Sequence, residues 1–516
     1  MDLAEHADAS YERWGDRRIL HFEGTWWTSG QLRDRTARFA GGLRDRLGLR
    51  PGDRVVVLLP NVPEVGIAYA GTWRAGGVVT PVVFLIQGAE LQHVLSDSGA
   101  RIVVTSPEFL ATVLAATGGT DVQQVVVVGD LPVGLPPQPG AAGPQLVSAA
   151  ELEQAEPLEA PVGRADDDLA ALLYTGGTTG RAKGVMLSHA GLTAVGRGGA
   201  EATYVEGMNR TLLPLPLSHA YGLLVSVIGL FVLEPSESVL MRWFDPAGFL
   251  RLAVEHQVQR TALVPSMIAM LLTQPLEEHD LSQLRFVGSG GAPLAPELAL
   301  EFQRRVPSAT VSEGYGMTET SALCTITPPL AVRLGSVGVP APGYEVRIRD
   351  PLTGAEVPTG SEGEVCVRGP GLMIGYWHDE EATAATIRDG WLHTGDVGVL
   401  DDEGYLRIVD RLKDLVIRGG FNVYPRDVED GLLGHPEVVL AGVVGRPDPT
   451  YGEEVVAFVS LRPGATVTGE DLVTWSRAHM AKTKYPREVH VLDTVPLTPV
   501  GKLDRKALRA RVRTPA

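Results

Sequence analysis

A chain of 516 residues, 44% hydrophobic and 21% charged, can bury a sizeable core, which excludes a peptide hormone, a disulfide miniprotein and a wholly disordered chain. With 45 Lys and Arg against 62 Asp and Glu the formal charge is -17, so long-range electrostatics oppose nonspecific binding to nucleic acid or an anionic membrane, although local basic patches can still hold phosphates. Two cysteines, Cys324 and Cys366, form no CxxC pair, which speaks against a disulfide framework and a cysteine-rich metal site.

The start, Met1-Asp2-Leu3-Ala4-Glu5-His6, is acidic where a secretory signal is basic, and no apolar segment follows it. Short β-branched runs then alternate with amphipathic segments: Arg54–Leu59, Ile102–Thr105, Val125–Val128, Ala262–Val264 and Leu284–Val287 read as buried strands. This rhythm predicts layered α/β sheets covered by helices. Asp121–Val128 reads as a strand ahead of a Pro-, Ala- and Gly-rich surface connector from Leu131 to Gly163, with a short helix near Ala150–Ala155. Gly222–Leu233, the longest apolar run, is shorter than the roughly 20 residues of a membrane-spanning helix. A cytoplasmic protein without integral membrane association is therefore expected.

After about Ser336 the texture turns to Gly-punctuated strands, Tyr344–Arg349 and Gly363–Val367, a β-rich subdomain. A βαβ-like tail follows: Val438–Val444, Glu454–Leu461, a helix near Gly469–Ala481 and a strand Glu488–Leu492. The expected fold is α/β, with a large N-terminal domain (1–411) of layered sheets plus the β-rich subdomain, and a small α+β C-terminal domain (412–516).

The most informative string is Leu172–Val185, an apolar strand running into Thr175-Gly176-Gly177-Thr178-Thr179-Gly180-Arg181-Ala182-Lys183. Glycines let backbone N–H groups approach phosphate oxygens, threonine hydroxyls add donors and lysine adds a mobile positive charge. A Walker A loop needs Ser or Thr after its lysine, and here Gly184 follows Lys183. Val287–Pro293 is only a partial dinucleotide fingerprint, because Pro293 stands where the last glycine belongs.

Tyr174–Gly184 resembles the phosphate loop of the acyl-adenylate-forming enzymes, which include acyl-CoA synthetases, nonribosomal peptide adenylation domains and firefly luciferases; its glycine-and-alanine version is most like that of fatty acyl-CoA ligases. Further family motifs occur in order along nearly the whole chain. The resemblance implies that Thr175, Gly176, Gly177, Thr178, Thr179, Gly180 and Lys183 hold the ATP phosphates, and that Gly291, Ala292, Glu313, Gly314, Tyr315, Gly316 and Met317 line the nucleotide, with Tyr315 stacking on adenine. Thr318 would reach phosphate, and Glu319 would bind Mg2+, a hard ion suited to a carboxylate oxygen. In Leu392–Asp396 and Asp410–Asp414, Asp396 would accept from the ribose hydroxyls, Arg411 would contact the sugar and Lys413 would mark a hinge about which the small domain moves. Lys502, within Pro496–Arg505, takes the place of the adenylation lysine, a cation for the charge that builds between carboxylate and α-phosphate.

The resemblance also implies the acyl side. His219 occupies an aromatic gate at the pocket entrance and is followed by Ala220 where amino-acid-activating relatives carry an aspartate, so an α-amino acid is disfavoured. Tyr221, Gly290 and Gly316 would complete that pocket, and Leu223–Leu230 would suit an alkyl or aromatic tail. Arg418–Asn422 resembles the glycine segment at the pantetheine tunnel, giving Gly419 and Gly420 to coenzyme A; around Lys482–Arg487 the chain departs from the family pattern. With 14 residues after Lys502, no fused carrier domain is expected, and Asp97-Ser98 does not resemble a phosphopantetheine site. The expectation is ATP-dependent ligation of a carboxylic acid, fatty or else aryl, to coenzyme A, a homodimer being compatible with it. The alternatives are loading of a free-standing carrier protein and a catalytically silent sensor of the same fold.

Overall fold

A computed structural model of the chain describes residues 1–86, 88–131, 143–175, 181–498 and 503–513. Among these, the runs of β-branched residues form parallel strands because both of their faces are covered. Side chains alternate across a strand, so Val55, Val57, Ile102, Val104 and Val126 enter one core with Phe39, Tyr69 and Trp73. Their neighbours Val56, Leu58, Val103, Val125 and Val127 enter another, against Leu91, Val94, Leu110 and Val113. Such double burial makes these strands read as unbroken apolar runs.

The resulting eight-stranded sheet has the order 375–376, 183–188, 169–175, 78–81, 54–58, 102–105, 124–127, 145–148. A nine-stranded sheet runs 339–340, 325–326, 310–315, 286–289, 260–263, 210–213, 237–240, 18–22, 25–28; its six strands from Thr310–Tyr315 to Arg18–Phe22 are parallel. The expected β-rich subdomain is a five-stranded antiparallel sheet from Glu345–Arg349 to Leu406–Arg411. Beyond the turn Leu412–Asp414 a separate five-stranded sheet carries the tail, in which Gly452–Leu461, the helix Gly469–His479 and the parallel strand Glu488–Val491 form the expected βαβ unit.

Two expectations need correction. The stretch from Leu131 to Gly163 is not only a connector, because Gln145–Ser148 pairs in parallel with Gln124–Val127. As an edge strand of pattern Gln-Leu-Val-Ser it is only partly buried, so it lacks an apolar signature. The strand read at Leu284–Val287 begins later, at Phe286, and ends at Ser289. Cys324 and Cys366 are free and buried, burial pushing the Cys324 thiol well up and the Cys366 thiol to about 12. No helix among the described residues is long and apolar enough to cross a membrane.

One buried side chain joins the two large sheets. Asn61, just after the strand Arg54–Leu58, donates to the carbonyls of Leu215 (2.8 Å) and Met241 (3.0 Å), and its Oδ1 accepts the Leu217 N–H at 2.9 Å. It thereby fixes the segment leading to His219. Asn61→Ala would strand three buried backbone groups, so we expect a loss of about 3 kcal/mol in unfolding free energy, read as a lower urea midpoint.

Candidate active site

The strands Leu169–Thr175 and Lys183–Ser188 are antiparallel, with Thr175 opposite Lys183, so the glycine- and threonine-rich segment joins a hairpin. Gly176, Gly177, Thr178, Thr179 and Gly180 lie outside the described residues. Both ends of the hairpin loop are tied to the helix Gly88–Ser98: the Tyr174 hydroxyl donates to Asp97 Oδ2 at 2.6 Å, and His93 Nε2 lies 2.9 Å from the Ala182 carbonyl. Lys183 pairs with Asp379 at 3.0 Å, and its Nζ stands 5.1 Å from the centroid of the Tyr376 ring.

The segment Glu313–Glu319 leaves the end of a parallel strand, where α/β sheets present ligand sites. A Cβ on Gly316 would fall 2.4 Å from the Ala322 carbonyl oxygen, so only glycine fits this close approach. The opposing Ser321 and Ala322 have φ of 53° and 76°, a conformation side chains rarely adopt and one that clusters at functional sites. Met317 packs on the main core, Thr318 opens the turn Thr318–Thr320, and Gly314 approaches Thr325. Glu319 Oε1 accepts the Tyr376 hydroxyl at 2.8 Å, and the Glu319 carbonyl takes the Met373 N–H at 2.8 Å. Burial and the Glu319 carboxylate push the Tyr376 phenol up, so it remains a donor.

Asp396 is 3% exposed and uses both oxygens: Oδ2 accepts the Tyr315 hydroxyl at 2.6 Å, and Oδ1 faces Arg411 Nε at 3.1 Å. Arg411 is its cross-strand neighbour, and that carboxylate raises the Arg411 pKa further. Glu364 accepts from the Gly395 N–H (3.2 Å) and contacts His393 Nδ1 (2.8 Å), which sets the turn before Asp396. Tyr315, Asp396 and Arg411 are thus brought together.

On the acyl side His219 caps the helix Ala220–Ile228, its Nδ1 accepting the Tyr221 N–H at 3.2 Å. Tyr221 lies against the glycine strand end; a Cβ on Gly290 would meet its ring at 3.2 Å. Burial raises its phenol to about 12. Gly291 has φ of +79°, and Ala292 precedes the turn to Leu294. Glu313 Oε2 accepts the Leu294 N–H at 3.2 Å, and burial, against the opposing pull of Arg426, raises its carboxyl to about 7.

The C-terminal unit contributes less directly. Lys413 sits half-buried in the turn Leu412–Asp414, its pKa lowered first by burial and then by Arg411. Gly419 and Gly420, with φ of 57° and 83°, form the tip between Val416–Arg418 and Phe421–Val423. A Cβ on Gly420 would meet nothing within 4 Å, and the Gly419 N–H bonds the Tyr451 carbonyl, so among the described residues these glycines are not gathered with the N-terminal group. Lys502 lies outside the described residues. Arg426 docks the unit: its N–H donates to Asp410 Oδ2 (2.8 Å) and its guanidinium reaches the Leu294 carbonyl (3.3 Å). Sequence reasoning does not single out His93, Tyr376 and Asp379, and names Asp97 only in the Asp97-Ser98 pair, because each meets its partner only through the fold.

A family model described as AMP-binding enzyme matches residues 7–377, and one described as AMP-binding enzyme C-terminal domain matches 427–502. The chain is 38% identical to a feruloyl-CoA synthase of Amycolatopsis sp over 493 residues, 95% of this chain and 94% of the relative. With a long-chain-fatty-acid--CoA ligase of Escherichia coli it shares 33% over 541 residues, 99% of this chain and 95% of that one. The crystal structure of ATP-bound MatB from Rhodopseudomonas palustris superposes with a TM-score of 0.87 at 32% identity, covering 99% of each chain.

Two predictions follow from the geometry. Since Glu313 titrates near 7 when folded against about 4.5 in the unfolded chain, the folded protein holds the extra proton between these values. Its stabilisation is present at low pH and lost as pH rises through that window, by up to about 1.4 kcal/mol per pH unit. Glu313→Gln should flatten this part of a melting-temperature profile. Tyr376→Phe removes the hydroxyl that orients Glu319 and keeps the ring beside Lys183, so ATP-dependent turnover should fall about tenfold with the melting temperature little changed.

Proposed function

Because the chain belongs to the AMP-binding enzyme family, we propose that it joins a carboxylic acid to coenzyme A through an acyl-adenylate, releasing AMP and pyrophosphate. One observation carries this reading: Lys183 and Glu319, far apart in sequence, share Tyr376, whose hydroxyl holds the carboxylate while its ring faces the ammonium. A cation beside an oriented carboxylate is the pairing that a magnesium polyphosphate asks for. Glu319 fits Mg2+ as a hard oxygen ligand that keeps lone pairs after accepting one hydrogen bond, and the ion would neutralise phosphate charge there.

In the first half-reaction a carboxylate oxygen of the acid attacks the α-phosphorus, the α–β anhydride bond breaks and pyrophosphate leaves. Lys183 would leave Asp379 for the phosphates, while Tyr315, Asp396 and Arg411 would hold the nucleoside, Asp396 exchanging protein donors for ribose hydroxyls. Lys502 would stabilise charge between the reacting groups. In the second half-reaction the thiol sulfur attacks the acyl carbon, the bond to the AMP oxygen breaks and AMP departs, the thiol proton passing to solvent. A small domain turning about Lys413 between the steps would bring Gly419 and Gly420 to the pantetheine arm. Division of the chain at 411/412 and a cytoplasmic location go with this reading.

The acid has an uncharged tail. Ala220 supplies no carboxylate for an ammonium, and the helix that it opens carries the apolar Leu223, Leu224, Val225 and Ile228. Between the fatty and aryl readings we favour an aryl acid. The partly buried Tyr221 ring offers offset stacking, and the feruloyl-CoA synthase relative carries the higher identity of the two relatives above. Pyrophosphate release is to be measured with acetate, hexanoate, decanoate, benzoate, cinnamate and leucine, with and without coenzyme A. We expect cinnamate to give the highest kcat/KM and thioester to form only with coenzyme A. A decanoate maximum would restore the fatty reading, and leucine or acetate would overturn the uncharged, apolar tail. Lys502→Ala should lose most acid-dependent pyrophosphate release while ATP affinity stays nearly unchanged, since its contact is made in the transition state.

A further inference from the structure

The parallel strands of the nine-stranded sheet point their C-terminal ends at the active site. At their opposite ends, Arg18 and Arg210 open two of these strands and Glu237 opens a third lying between them. Together with Arg17, Asn209 and Pro235 they line a surface cavity of about 430 Å³, in the size range of small-ligand pockets. A four-residue strand such as Arg210–Leu213 spans about 13 Å, so this cavity is separated from the acyl pocket by the depth of the sheet.

Charge in the cavity is not balanced. Arg18 pairs with Glu237 at 3.4 Å, but among the described residues Arg17 and Arg210 have no ion pair. Arg17 Nη1 donates to the Ser236 carbonyl (2.7 Å) and Arg210 Nη1 to Gln257 Oε1 (3.2 Å), both neutral acceptors, while the Nε of each is buried without a partner. Three guanidiniums therefore face one carboxylate, a formal excess of two positive charges. Close by in the chain, Glu234 acts electrostatically on Arg260, and the Asp16 carboxylate accepts the Gly30 N–H at 2.8 Å. Burial lowers the Arg17 pKa against the opposing pull of Glu237, so Arg17 shares with Arg18 the one carboxylate of the cavity. In a chain of net charge -17, such a concentration of unpaired arginine is not explained by solubility.

We propose that the cavity formed by Arg17, Arg18 and Arg210 binds the phosphate group of a second ligand, at a site separate from the ATP loop. A phosphate monoester carries nearly two negative charges at neutral pH, equal to the excess, and guanidinium forks match its oxygens. The cavity exceeds a phosphate in size, so part of the attached molecule would enter with it. The same group is presented by a free phosphate monoester or by the headgroup of phosphatidic acid.

The test compares the wild-type protein with Arg17→Gln/Arg210→Gln, and with Arg18→Gln as a milder change at the rim. Inorganic phosphate is titrated calorimetrically at low salt, and crystals are soaked in tungstate to locate the anion by its anomalous signal. In parallel, pelleting is measured with vesicles of phosphatidylcholine alone or mixed with phosphatidic acid. We expect tungstate between Arg17 and Arg210 and phosphate binding weakened about tenfold in the double variant, with acid-dependent pyrophosphate release unchanged. Pelleting only with phosphatidic acid, and lost in the double variant, would assign the phosphate to a lipid. Phosphate binding and pelleting that are identical in wild type and both variants, with no tungstate in the cavity, would overturn the proposal.

Discussion

A carboxylate almost shut off from water needs partners for both oxygens, and Asp396 finds one on each side of the cleft. The Tyr315 hydroxyl comes from the last parallel strand of the nine-stranded sheet, and Arg411 comes from the β-rich sheet, one residue before the turn that leads to the C-terminal unit. Asp396 itself stands in the β-rich sheet opposite Arg411, so this one acidic side chain ties that sheet to the nine-stranded one. Losing Arg411 would leave this buried charge uncompensated, and losing the Tyr315 hydroxyl would leave one of its oxygens without a donor, both costlier than losing a surface pair. The same side chain is the one proposed to release its protein donors when ribose arrives. Its two hydrogen bonds therefore couple the assembly of the cleft to its occupation.

Around this point, cation and anion are held in short pairs rather than left open. Lys183 rests on Asp379, and Glu319 takes the Tyr376 hydroxyl. Such pairs keep charged side chains ordered, at the cost that a ligand must exchange partners instead of adding them. Partial burial supplies the remaining control: Glu313, bonded to the Leu294 N–H and facing Arg426 of the C-terminal unit, titrates near neutrality. Protonation in this wall is linked to how the two parts of the chain meet, since Asp410 and Asp430, both also raised by burial, surround the same arginine.

How much of this could be read in advance depends on the range of the interaction. Val103 and Val125 announced their strands because burial on both faces demands apolar residues whatever lies nearby. Gln145–Ser148 did not, because an edge strand needs only backbone partners, which leave no side-chain pattern. Gly316 was identified by its motif, and the near contact with Ala322 gives the steric reason for it. By contrast His93, Asp97, Tyr376 and Asp379 hold Ala182, Tyr174, Glu319 and Lys183 across large gaps in sequence. Spacing carries no record of such pairs, and only the folded chain brings them together. The unpaired arginines at the far end of the sheet belong to the same class, since Arg17 and Arg210 become neighbours only when their strands align.

The two cysteines have a practical consequence. Reaction with a maleimide requires an accessible thiolate, and Cys324 and Cys366 offer neither access nor a low pKa. The native protein is therefore a quiet background for site-specific chemistry. A thiol placed on the exposed Leu352, in the turn after the strand Glu345–Arg349, and another at the exposed Val439, beyond the turn at Lys413, would take up a donor and an acceptor dye ahead of the natural sulfurs. Rotation of one part of the chain against the other would then be visible as a change in energy transfer, without first having to remove a cysteine from the core.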